Sequence, residues 1–206
     1  MKIVTRTKAI QNLKEHVGRD LRELALEHGV TTFETGKQNK GWKGLVLHSL
    51  SGLGNDNLKA PNGLSFEIKS VSFHEVKGEL VPKETMAITM INQEELKNDS
   101  FYKSHCWAKL KSIIFCAVMW HGQNAERGEL IKVASLDFAE DDELIKEIEK
   151  DYEFIRSKLI KDGFESLTGS DGKWIQARTK GPGHGSKSRA FYARTQLVKK
   201  IFEVAS

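Results

Sequence analysis

The chain has 206 residues, of which 39% are hydrophobic and 29% charged, with a formal net charge of +4. That balance excludes disordered and fibrous classes, and the length suffices for a buried core without disulfides or a structural metal. No apolar run approaches the roughly 20 residues that span a bilayer, and the start, MKIVTRTKAIQNLKEH, lacks the apolar stretch of a signal peptide, so a cytoplasmic protein without membrane contact is expected. In chain order, Ile10, Leu13, Val17, Leu21, Leu24 and Leu26 recur near the helical period and Gly29 offers a stop. A glycine-punctuated polar stretch, TGKQNKGWKG, leads into LVLHSL, a second helix closed by SGLGN. LSFEIKSVSF and TMAITMI read as strands separated by a loop holding Gly78 and Pro82. KSIIFCAVMW has the unbroken apolar character of a strand buried on both faces, with LIKVASLDF as its expected neighbour. The segment AEDDELIKEIEKDYEFIRSKLIKDG places Leu144, Ile145, Ile148, Tyr152, Ile155 and Leu159 on one stripe of a helix, acids early and Lys158 and Lys161 late, as the helix dipole favours. It reads as a structural outer helix. KWIQAR is a short strand, and RAFYARTQLVKKIFEVA closes the chain as strand or helix. With no repeat and no linker, residues 1–206 are expected to form one domain of α/β class, a mixed central sheet flanked by helices.

Cys106 and Cys116 lie in apolar surroundings without His or Cys at metal spacing, so they read as small buried hydrophobes rather than zinc ligands. Charge is strongly segregated. Asp137 to Glu153 is acidic, whereas Gly172 to Phe202 contains no Asp or Glu and carries Lys173, Arg178, Lys180, Lys187, Arg189, Arg194, Lys199 and Lys200. These bases are interleaved with Trp174, Phe191 and Tyr192 and with Gly181, Pro182, Gly183 and Gly185. Such segregation is how a phosphate-binding footprint looks in sequence, with a passive solvated surface as the alternative.

The stretch KAPNGLSFEIKS raises a sharper question. In an extended strand Phe66 and Ile68 point one way and Glu67 and Lys69 the other. Glu-x-Lys alone is common, but Pro61 and Asn62 make a turn that could bring position 62 beside Glu67. A polar group there, with Glu67 and Lys69, is the constellation of metal-dependent phosphodiester hydrolysis: Mg²⁺ takes oxygen ligands at about 2.1 Å, polarises phosphorus and lowers the pKa of bound water, and a lysine orients that water or stabilises the crowded phosphorus.

NLKAPN running into FEIK resembles the PD-(D/E)xK motif of restriction-type nucleases, in the branch that holds MutH, MvaI, BcnI and Sau3AI. QNLKEHVGRDLREL is similar to that branch's opening helix, KGWKGLVLHSL to the helix before its catalytic strand, SHCWAKLKSIIF to a segment with a further lysine, and TKGPGHGSKSRAFYARTQLVKKIF to its DNA-contacting end. The resemblance covers most of the chain in the same order and implies a restriction-endonuclease-like fold. It implies Glu67 and position 62 as ligands of Mg²⁺, Lys69 as the catalytic lysine, and Lys109 as a further active-site lysine, against the plain reading of an exposed helical lysine. His48 falls where a helix-borne glutamate often stands, although a half-buried helix histidine is an equal reading. Lys180, Gly183, His184, Lys187, Arg189, Tyr192 and Arg194 match the region that meets double-stranded DNA; glycines let such a loop approach closely, and His, Lys and Arg suit guanine N7 and O6.

Position 62 departs from the pattern, for the family's first acid is Asp and an amide oxygen brings no charge to a metal. Either Asn62 replaces an Asp in an inactivated form, or Asp56 supplies the ligand, or this chain binds DNA without cutting it. The expected activity is that of a type II restriction endonuclease acting as a monomer or weak dimer on DNA. A methylation-sensitive MutH-like nicking enzyme of mismatch repair and a non-catalytic DNA-binding module are the alternatives.

Overall fold

The structure, a computed structural model, describes residues 4–34, 37–38, 41–53, 66–122, 127–139, 142–181 and 187–204. The chain divides into two compact units, residues 1–84 with 113–136 and 205–206, and residues 85–112 with 137–204.

The first unit begins with helices α1 (Arg6–Lys14) and α2 (Leu21–Glu27). The single helical stretch expected over the first thirty residues is broken at Gly18, which takes φ 89° and donates its N–H to the Leu130 carbonyl. Thr5 and Asp20 cap the two helices by accepting the Lys8 and Arg22 amides. A two-residue ribbon, β1 (Phe33–Glu34) with β2 (Lys37–Gln38), precedes α3 (Trp42–Ser51), which ends on the left-handed Gly52. Next come β3 (Glu67–Val76) and β4 (Glu79–Pro82), an antiparallel hairpin turned by Lys77 at φ 54° and Gly78 at φ 83°. Both signs are positive, as a two-residue type I′ turn requires, so the loop expected around Gly78 and Pro82 is a strand.

Strands β6 (Ser112–His121) and β7 (Arg127–Asp137) complete a four-stranded sheet in the order β4-β3-β6-β7, with β3 and β6 parallel and β3 and β4 antiparallel. This is the expected mixed sheet. One face packs on the helices: Ala9 and Leu13 of α1, Leu21 and Leu24 of α2, and Val46, Leu47 and Leu50 of α3 meet Phe66, Ile114, Cys116, Val118 and Val133 in one core, with Ile68 packed against it. The other face carries Val71, Phe73, Phe115 and Ala117, all fully buried, with the Phe73 and Phe115 rings edge to face at 6.3 Å.

The second unit holds a separate antiparallel sheet, β5 (Met86–Met90), β9 (Arg189–Ala193) and β8 (Ile175–Thr179), in the order β5-β9-β8. Its helices are α4 (Gln93–Asn98), α5 (His105–Leu110), α6 (Glu143–Asp162) and α7 (Thr195–Val204). The apolar stripe of α6 is buried as the sequence predicts, at Ile145, Ile148, Tyr152, Ile155 and Leu159, and the Tyr152 ring stacks on Phe191 of β9 at 5.4 Å.

Asp151 is the exception on that stripe. Its carboxylate accepts the backbone N–H groups of Lys173 at 2.8 Å, Trp174 at 2.5 Å and Ile175 at 3.0 Å, and so anchors the entry into β8. A side chain on Gly172, at φ +78°, would collide with the Ile175 carbonyl and crowd Asp151. Both cysteines are buried. Among the described residues no helix is long and apolar enough to cross a membrane.

Candidate active site and nucleic-acid surface

Glu67 and Lys69 leave β3 on the face opposite the helices, as the alternation around Phe66 and Ile68 dictates. Their side chains are 21% and 17% exposed and form an ion pair, Lys69 Nζ to Glu67 Oε1, at 3.0 Å. β3 pairs with β6 from Glu67 to Phe73, but β4 pairs only with Phe73 to Val76. Among the described strands, the half of β3 that carries the pair therefore has β6 as its one neighbour. Beyond that half, the Ser72 amide donates to Glu84 Oε1 at 3.2 Å and its carbonyl accepts the Lys83 amide at 2.8 Å.

His48 sits half-buried on α3, the helix that packs on β3. Burial lowers its pKa below the ordinary histidine value, and the nearby Glu67 carboxylate pulls the other way. The net depression favours the neutral imidazole, a ring that can accept a proton or a hydrogen bond.

Lys109 stands in the second unit, half-buried in the last turn of α5. Asn62 and Asp56 lie outside the described residues, as do Gly183 and His184. Among the described residues no three His, Cys, Asp or Glu side chains converge as a metal-holding group.

The basic C-terminal segment separates into two populations. β8 and β9 form a hairpin in which Thr179 opposes Arg189 and the Lys180 amide donates to the Ser188 carbonyl at 2.9 Å. Lys180 and Lys187 are exposed at the base of its loop. Arg189 instead points into the unit, 6% exposed, and donates to the carbonyls of Leu167 at 2.9 Å and Lys187 at 3.3 Å, with Glu165 as its ion-pair partner at 3.4 Å. Arg194 donates to the carbonyls of Gly172 at 3.0 Å, Gly169 at 2.8 Å and Asp171 at 3.3 Å. These two guanidinium groups tie down the 165–172 connection.

Arg178, singled out by no motif in the sequence, is exposed on β8, with its guanidinium 5.0 Å from the Tyr192 ring and a long contact, 3.5 Å, to the Thr85 hydroxyl. Position along the strand distinguishes the two: β8 is buried at Ile175, Gln176 and Ala177 and exposed at Arg178 and Thr179, whereas Arg189 is buried at the start of β9 with Ala190 and Phe191.

Residues 54–151 match the family model for the DNA mismatch repair enzyme MutH. That match supports a MutH-like PD-(D/E)xK endonuclease-type domain in this chain. The matched stretch runs from before Glu67 through β3–β7 and into α6, so it contains Glu67, Lys69 and Lys109. The mixed sheet flanked by helices agrees with the restriction-endonuclease-like fold of the MutH family, and a MutH-like nuclease takes DNA as its substrate. The β8–β9 hairpin lies beyond the match. No curated protein matches the chain.

Proposed function

We propose that the protein is a type II restriction endonuclease that hydrolyses phosphodiesters of double-stranded DNA at a short specific sequence with Mg²⁺. The observation that carries this reading is the Glu67–Lys69 pair, side by side on the half of β3 left open by β4 and inside the stretch that matches MutH.

The donor chemistry fits a hard divalent ion: Glu67 supplies a partly exposed carboxylate oxygen, and Lys69 supplies a cation that neighbours it without replacing a ligand. Such an ion, when bound, polarises phosphorus and activates water. Glu67 holds it, assisted by position 62. Lys69, kept 3.0 Å from that carboxylate, is in place to orient the attacking water and to offset charge developing on the phosphate. Neutral His48 accepts a hydrogen bond from that water or leaves it undisturbed. The family resemblance would make Lys109 a second cation for the phosphate. On the DNA side Arg178, Lys180, Lys187 and Tyr192 form the contact surface, to which the family resemblance adds Gly183 and His184; Arg189 and Arg194 support it by tying down the 165–172 connection. With Glu67 and Lys69 as the catalytic cluster, a monomer cuts one strand per visit, and a double break needs rebinding or a second copy.

Plasmid cleavage in Mg²⁺ tests this, comparing the chain with its Asn62→Asp and Glu67→Ala forms. Cutting by the chain or by Asn62→Asp, abolished by Glu67→Ala, is the expected result. Binding without cutting by both the chain and Asn62→Asp would make it a DNA-binding module instead. Cutting of unmodified DNA in the absence of any partner protein separates restriction from repair nicking.

A further inference from the structure

The second unit contains an open cavity of about 560 Å³ beside the loop end of the β8–β9 hairpin, away from Glu67 and Lys69 in sequence and, Lys187 apart, used by no step above. Resting on the endonuclease reading, we propose that this cavity receives one base of the substrate DNA swung out of the duplex.

Its size lies within the range of pockets that enclose small ligands. The walls have two kinds of surface. Met90, 47% exposed at the end of β5, and Phe164 are apolar. Bases in a duplex show proteins only their polar edges and the thymine methyl group, because their faces are covered by stacking. The apolar wall formed by Met90 and Phe164 can therefore cover a base face only after that base has left the stack. The polar wall consists of Asn92 and Gln93, both exposed. The Asn92 side-chain oxygen already accepts the Glu94 and Glu95 amides, which leaves its NH₂ as a donor, while the Gln93 amide offers donor and acceptor together. That combination suits the Watson–Crick edge of a base.

Charge is compatible with a nucleotide. Lys187, at the end of the hairpin loop, lines the mouth, where it can meet the phosphate beside the displaced base. The two carboxylates on the rim are each compensated: Glu94 pairs with Lys97 at 2.9 Å and Glu165 with Arg189 at 3.4 Å. The floor is fixed, since the Ile91 amide donates to the Arg189 carbonyl at 2.9 Å and Met90 sits in register with Ala190. A preformed, rigid receptor lowers the cost of holding the extruded nucleotide.

The test uses the full chain as Glu67→Ala, without metal, and duplexes containing its mapped cleavage site with 2-aminopurine at each position in turn. Binding is followed by anisotropy of an end label, and extrusion by 2-aminopurine emission. At one position emission should rise several-fold on binding. Met90→Ala with Gln93→Ala should remove most of that rise and weaken binding by about tenfold, the scale expected for losing one stacked base, with thermal unfolding unchanged. Tight binding with flat emission at every position overturns the cavity proposal and leaves the nuclease reading standing, as does a rise that survives the double substitution. Failure to bind any duplex sinks both.

Discussion

Substituting Arg178 and Arg189 by Ala should produce opposite phenotypes, although the two residues are alike in a sequence census of bases. Arg189 is 6% exposed and gives its guanidinium N–H groups to the Leu167 and Lys187 carbonyls and to Glu165. Hydrogen bonds from a charged donor contribute ~1.5–3 kcal/mol each, and a carbonyl left buried without a donor costs further. The contacts at 3.3–3.4 Å are weaker than the one at 2.9 Å, so Arg189→Ala should lower stability by ~2–4 kcal/mol. Lys at this position should restore little, because an ammonium cannot fork between several carbonyls.

Arg178→Ala loses one exposed cation–π contact, and stability should fall by no more than ~1 kcal/mol. Its DNA affinity should fall about tenfold or more, and the slope of log affinity against log salt should shrink by about 0.9, one phosphate's worth. Urea unfolding and fluorescence anisotropy at several salt concentrations read the two quantities on the same preparations. Should Arg178→Ala bind DNA with unchanged affinity and slope while folded Arg189→Ala loses both, the division into reading and supporting arginines is wrong.

Asp151→Ala should destabilise the protein by ~3–5 kcal/mol in urea unfolding, since three backbone N–H groups at the entry to β8 lose their acceptor together; a loss under ~1 kcal/mol would show that water replaces the carboxylate there. The Cys116 thiol, buried and pushed up to about 12 from its ordinary 9.0, should resist a thiol reagent such as DTNB in the native protein at pH 8 and react once the chain is unfolded. The same shift has a stability consequence with a defined sign. Between pH 9 and 12 the unfolded chain releases this proton while the folded one retains it, so stability falls as pH rises through that window. Stability independent of pH there would contradict the burial.

What could be read from the sequence was whatever depended on periodicity over a long stretch. KSIIFCAVMW became β6 because ten residues with almost no polar side chain have no stable arrangement except between two covering layers. α6 declared itself through a stripe sustained over five turns. The catalytic-type pair was visible for the same reason at shorter range: alternation alone sends Glu67 and Lys69 to the face opposite Phe66 and Ile68. Features decided by a single backbone torsion were not visible. Lys77 occupies positive φ, an uncommon choice for a non-glycine residue, and that one angle turned an expected loop into β4. Gly18 likewise divided one helical pattern into α1 and α2.

The arginines fall between these cases, and they show how a charge footprint in sequence should be interpreted. A run without acids suggests phosphate binding, yet a guanidinium can be consumed equally well by backbone carbonyls, and composition does not distinguish the two outcomes. Their place in the fold does. Arg189 is buried at the start of β9 beside Ala190 and Phe191, whereas β8 leaves the core after Ala177 and Arg178 is exposed. A buried base must spend its donors inside the protein, because a buried cation without acceptors is too costly to retain. An exposed base can present its charge to solvent or to DNA. Counting only the exposed cations reduces the expected phosphate contacts of the β8–β9 hairpin to Arg178, Lys180 and Lys187, and it is these three, not the full basic run, that should set the hairpin's contribution to the salt dependence of binding.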